Sequence, residues 1–113
     1  MKYPFLTDLP HFLHGADYNP DQWLDRPDIL AEDIRLAKLA HINSLTVGIF
    51  AWSALEPKEG KFTFSWLDET MNRFAANNMK AILATPSGAR PAWLSAKYPE
   101  VLRTDEYGRK ALF

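Results

Sequence analysis

The chain has 113 residues, 47% of them hydrophobic and 24% charged, so it is globular rather than disordered and long enough for one domain with a thin core. Thirteen basic and 14 acidic residues, mixed along the chain, leave a formal charge of −1 and supply no electrostatic drive toward nucleic acid or an anionic membrane surface. No cysteine is present, which excludes a disulfide framework and a thiolate metal site and leaves the redox compartment open.

At the start, Met1–Asp8 carries one lysine but neither the apolar core nor the small-residue cleavage site of a secretion signal. No apolar run approaches the roughly 18 residues of a membrane helix, so a soluble, cytoplasmic location is expected. Phe12–Asp17 is a short apolar run ending at Tyr18-Asn19-Pro20-Asp21, whose Asn, Pro and Asp are turn formers, and a first strand with its exit loop is predicted. Asp25 offers a helix cap, Pro27 sits where its missing N–H costs nothing, and Asp28 and Glu32 suit the positive end of a helix. A helix over 27–40 follows, with Leu30, Ile34 and Ala37 at i, i+4 and i+7 and Ile29, Leu36 and Ala40 widening the buried stripe.

Ser44–Ile49 is β-branched and nearly continuous in apolar character, which predicts a second strand, parallel and covered on both faces. The loop Phe50–Pro57 leads to a polar turn, Lys58–Lys61, and a short extended piece, Phe62–Phe64. Ser65 and Asp68 approximate a capping box for a second helix, on which Leu67, Met71, Phe74, Ala75 and Asn78 share a face, and Asn77-Asn78 closes it in a left-handed cap. Lys80–Ala84 is a third strand and Thr85–Arg90 its exit loop. Pro91 then opens a short helix that stops before Tyr98-Pro99, and Thr104–Gly108 is a surface turn.

This β-α-β-α-β order predicts the α/β class, a parallel sheet with helices outside and right-handed crossovers. It reads as the first three β/α units of a (β/α)8 TIM barrel, incomplete, with residues 1–113 forming the N-terminal part of one barrel domain and no second domain. Ligands of such sheets sit beyond the C-terminal strand ends, and those loops are rich in aromatics: Tyr18, Trp23, Phe50, Trp52 and Trp93. Aromatic rings suit the apolar faces of sugars, which makes Tyr18 and Trp52 the substrate-binding candidates. The competing role for each ring is to plug the barrel mouth or a gap between helix and sheet.

The carboxylates in these loops are Asp17, Asp21 and Glu56. Glycoside hydrolysis needs two carboxyls, about 5 to 5.5 Å apart for retention and about 6.5 to 9.5 Å for inversion. Asp17 and Glu56 fall on adjacent loops, yet Glu56 precedes Pro57 well past its strand, where a loop hydrogen bond or ion pair is the commoner role, and Asp17 serves equally to orient a turn. No catalytic residue is assigned among them. His11, His14 and His41 lack the spacing of a helical metal pair, and the isolated Gly15 and Gly48 form no phosphate-cradling loop, so neither a metal nor a cofactor is expected.

Four motifs in order then carry a resemblance: Gly15-Ala16-Asp17-Tyr18-Asn19-Pro20-Asp21-Gln22-Trp23; Val47–Pro57 with Gly60 and Phe62; Ala84-Thr85-Pro86 with Pro91-Ala92-Trp93-Leu94; and Tyr98-Pro99-Glu100-Val101-Leu102. Together they resemble the N-terminal motifs of the family 42 β-galactosidases, over essentially all of His14–Phe113. The resemblance implies a retaining enzyme that cleaves terminal β-D-galactosyl residues by double displacement, with an acid/base glutamate after strand four and a nucleophilic glutamate after strand seven, neither of them in this chain. It implies an arginine that holds galactose just past Arg109–Phe113, a zinc site in some members that these residues neither support nor exclude, and often a homotrimer. The chain alone is therefore expected to be inactive. Two rivals remain: a family 35 or family 5-like barrel glycosidase, which shares the Trp…Glu-Pro…Gly-x-Phe element, and an autonomous carbohydrate-binding α/β module without catalysis.

Overall fold

The computed structural model describes residues 11–111; the Met1–Asp8 segment and the last two residues of the Arg109–Phe113 motif lie outside the described residues. Three parallel strands, β1 (Gly15–Tyr18), β2 (Ser44–Val47) and β3 (Lys80–Leu83), form one sheet in the order β1-β2-β3. Their register aligns Gly15 with Ser44 and Lys80 at one end and Tyr18 with Val47 and Leu83 at the other. Helix α1 (Pro27–Leu39) connects β1 to β2, and α3 (Ser65–Ala76) connects β2 to β3. A single turn, α2 (Trp52–Leu55), follows β2, and α4 (Ala92–Lys97) follows β3. Short 3-10 turns occupy Pro20–Trp23 and Pro99–Val101.

The core lies between the sheet and the two long helices. Ile34 and Ala37 of α1, Phe74 of α3, Leu45 and Val47 of β2, and Met79 are buried together, with Tyr18, Leu67, Met71 and Ala81 packed against them. Because side chains alternate along a strand, Tyr18, Leu45, Val47 and Ala81 point to this helix layer, and Asp17, Ser44, Thr46 and Ile82 point to the other side. Burial of Phe74 and Val47, both essentially inaccessible, stabilises the layer by about 1.5–3 kcal/mol each.

The opposite face is not the half-covered apolar interior that a continuous apolar strand suggests. Apart from Ile82 its residues are small or polar, and Asp17 and Ile82 are exposed. Only β2, flanked on both edges, is mostly buried; Ile82 and Leu83 of β3 are 52% and 60% exposed.

Several predicted boundaries shift for local reasons. The first strand starts at Gly15 rather than Phe12, because Asn43 takes over the pairing of that run: its side chain accepts from His14 N at 2.6 Å and donates to the Phe12 carbonyl at 2.8 Å. The second strand stops at Val47, since Gly48 adopts φ +97°, outside any strand conformation. Phe62–Phe64 forms no strand; the two phenyl rings stack at 5.5 Å instead.

Neither predicted N-cap forms. Asp25 lies one residue before the cap position, held by Arg26, and Ser65 is already the first helical residue, with Phe64 at the cap. The helix ends are better satisfied. Asn78 takes the left-handed conformation anticipated for it, with Asn78 N–H bonding to Ala75 O at 3.3 Å and Met79 N–H to Phe74 O at 2.9 Å. Helix α1 closes in the same Schellman pattern through His41, at φ 58°: His41 N–H bonds to Lys38 O at 3.1 Å and Ile42 N–H to Ala37 O at 2.9 Å.

Candidate functional site

Parallel strands bring their exit loops to one end of the sheet, and there the loops after β2 and β3 are bound to each other through Glu56. Glu56 follows the single turn α2 and precedes Pro57, which keeps it out of the helical region at φ −137°. Its two carboxylate oxygens face two donors: Oε2 accepts from Trp52 Nε1 at 2.8 Å, and Oε1 accepts from Gly60 N at 2.9 Å. Its backbone carbonyl accepts from Trp93 Nε1, at the start of α4, at 2.8 Å. Both indoles are part-buried. Such bonds fix where the edge of each ring points, because an indole has one donor, its in-plane N–H.

The same loop is held from its far side. Thr63 Oγ1 and Trp66 Nε1, the latter at 3.2 Å, both donate to the Ala54 carbonyl, and Thr63 N donates to Leu55 O at 2.8 Å. Glu59 pairs with Lys97 of α4 and accepts from Tyr98 OH at 2.7 Å. The Lys97 hydrogen bond, joined by that of Tyr98, holds the Glu59 carboxyl below its usual range. Phe50 is half-exposed and its ring lies against Gly88 of the β3 exit loop.

Of the two candidate sugar contacts, Trp52 sits in this cluster, part-buried, at the C-terminal end of β2. Tyr18 is placed differently. As the last residue of β1 it points into the helix layer, donates to Asp33 Oδ2 of α1 at 3.0 Å and lies 6.0 Å from the Phe74 ring. Burial first, and then the neighbouring Asp33 carboxylate, push its phenol well above the usual range, with Arg73 opposing. That geometry makes Tyr18 a brace behind the β1 exit loop, because strand alternation at the last β1 position directs it to α1.

Among the carboxylates, Glu56 has both oxygens committed within its own loop, and Asp17 lies exposed on the face away from the helices. Asp21, in the 3-10 turn after β1, has one buried oxygen without a protein partner, as does Asn19. His11, His14 and His41 border a concavity at the N-terminal end of the strands, opposite the loops, and among the described residues no three His, Asp or Glu side chains gather as a metal site. What the motifs do not reveal is the Trp93–Glu56 bond across 37 positions and the Glu59 pairing with Lys97 and Tyr98; no periodicity links residues so far apart.

The sequence profile of glycoside hydrolase family 42, described as β-galactosidase, matches residues 17–113. A β-galactosidase of Bacillus licheniformis is 70% identical over 93 residues, covering 82% of this chain and 14% of its own length. One from Alicyclobacillus acidocaldarius is 56% identical over 107 residues, covering 95% of this chain and 16% of its own. Among solved structures, the family 42 β-galactosidase Gan42B superposes with a TM-score of 0.87 at 59% identity, over 92% of this chain and 15% of that one. The cold-adapted β-galactosidase of Rahnella sp. R3 superposes with a TM-score of 0.89 at 54% identity, over 93% and 16%. The chain thus spans about a seventh of the length of these relatives.

Proposed function

This chain belongs to glycoside hydrolase family 42, and from that premise we propose that it supplies the first three β/α units of a (β/α)8 barrel that hydrolyses terminal β-D-galactosyl residues with retention. The observation that carries the reading is the parallel β1-β2-β3 register with its exit loops cross-linked at one end, in a chain whose family match runs from residue 17 to 113. In this reading residues 1–113 are the N-terminal part of one catalytic domain. Trp52 lines the wall of the galactoside cleft, and Tyr18 supports that wall through Asp33. The two catalytic glutamates follow strands four and seven, beyond β3, so the segment by itself has no turnover.

We further propose a cytoplasmic enzyme acting on β-galactosides; no helix among the described residues is long and apolar enough to cross a membrane, and the near-neutral charge gives nucleic acid no purchase. Assembly as a homotrimer would belong to the complete barrel. The test is an exchange: this segment replaces the matching residues of the Bacillus licheniformis relative, and both the chimera and the isolated chain are assayed on a chromogenic β-galactoside. The chimera is expected to turn over and the isolated chain not to. Turnover by the isolated chain that is abolished by Asp17→Asn or Glu56→Gln would sink the reading.

A further inference from the structure

We propose that Glu56 is a positioning residue for the galactoside subsite, acting through Trp52 rather than touching the sugar. The inference rests on the placement of Trp52 in the cleft wall argued above and deepens it. Helix α2 is one turn of four residues, too short to be stable by itself, so something other than helix propagation must hold Trp52. Glu56 does so with two acceptors at once: Oε2 takes the indole N–H at 2.8 Å and Oε1 takes the Gly60 N–H at 2.9 Å, while its carbonyl takes the Trp93 indole at 2.8 Å. One residue therefore anchors the N–H edge of the Trp52 ring, closes the 56–60 turn and ties the β2 exit loop to α4.

A carboxylate is the side chain that does this, because it offers an acceptor oxygen to each of two donors, whereas the amide of glutamine offers one oxygen and turns an NH2 against the other donor. Both oxygens already accept a hydrogen bond inside the loop, which turns the carboxylate toward Trp52 and Gly60. Glu56 is thus expected to act on binding and not on the acid/base steps.

In the chimera, Trp52→Ala should raise KM for a β-galactoside about tenfold through loss of the ring. Glu56→Gln should raise KM about three- to tenfold with kcat within about twofold and an unshifted pH profile. Trp52→Phe, which keeps a ring but removes the indole donor, should reproduce the Glu56→Gln change, and the double variant should be no worse than either single one. Should Glu56→Gln fail to accumulate as folded enzyme, Trp52→Phe reads the same bond from its other end. Additive KM effects, a fall in kcat with KM unchanged, or a displaced acid limb of the profile would overturn the role given to Glu56 while Trp52→Ala still raised KM. An unchanged KM in Trp52→Ala would overturn the cleft placement itself, and the role of Glu56 with it.

Discussion

At Gly15 the β1 backbone runs so close to β2 that a methyl group would overlap the Ser44 carbonyl oxygen, and a backbone atom, unlike the end of a flexible side chain, has nowhere to go. Gly15→Ala in the chimera should therefore separate β1 from β2 and cost about 3 kcal/mol, seen as a lowered thermal midpoint or loss of soluble enzyme. Tyr18 makes a second prediction. Removing its hydroxyl with Tyr18→Phe leaves Asp33 without this donor and should cost about 1 kcal/mol at neutral pH. Because the folded phenol titrates above its unfolded value of about 10, the stabilisation is complete below that pH and fades as pH rises toward the folded value. Thermal midpoints of the two proteins should differ by a constant amount from pH 7 to about 9.5 and converge above pH 10. The sequence puts Tyr18 and Trp52 in the exit loops; Tyr18 is instead the last residue of β1 and Trp52 opens α2 beyond β2, and one residue of register decides which side of a sheet a ring faces. Ending the strand at Asp17 instead of Tyr18 therefore hides the direction of the Tyr18 ring.

Among the elements, the long helices were readable to within a residue, since Leu30, Ile34 and Ala37 repeat with the helical period and do face the core. Their C-termini obey one rule with two sequences. Asn78 is a residue that tolerates the left-handed conformation and so marks its cap in the sequence, while His41 occupies the identical position without so strong a signal. A non-glycine side chain there costs about 1 kcal/mol, so His41→Gly should slow amide exchange at His41 and Ile42 by about fivefold in the chimera, and Asn78→Gly should change Asn78 and Met79 by less. Equal effects at the two sites would show that side-chain strain does not distinguish them. The single turn α2 has no signature in the sequence, since four residues cannot display a period; its stability comes from Glu56, Thr63 and Trp66, that is, from the loop beyond it.

Over the whole molecule, family membership was legible because four loop motifs keep their order and composition, but completeness of the sheet is a question of what the edges face. Both β1 and β3 have one unpaired edge among the described residues, and Ile82 and Leu83 are more than half exposed on β3. Leu36 and Leu39 of α1 are likewise 49% and 64% exposed, so the outer helix layer also lacks a neighbour on one side. Exposed parallel edges with apolar flanks favour association over a monomeric fold. The 113-residue chain in isolation should then bind an apolar fluorescent dye, associate with rising concentration and melt over a broad range without a cooperative transition. The chimera, with further strands on both edges, should melt sharply and bind no dye. A sharp, reversible transition of the isolated chain as a monomer would instead mean that the layer of Ile34, Val47 and Phe74 is a sufficient core, and would favour the autonomous binding module over a barrel segment.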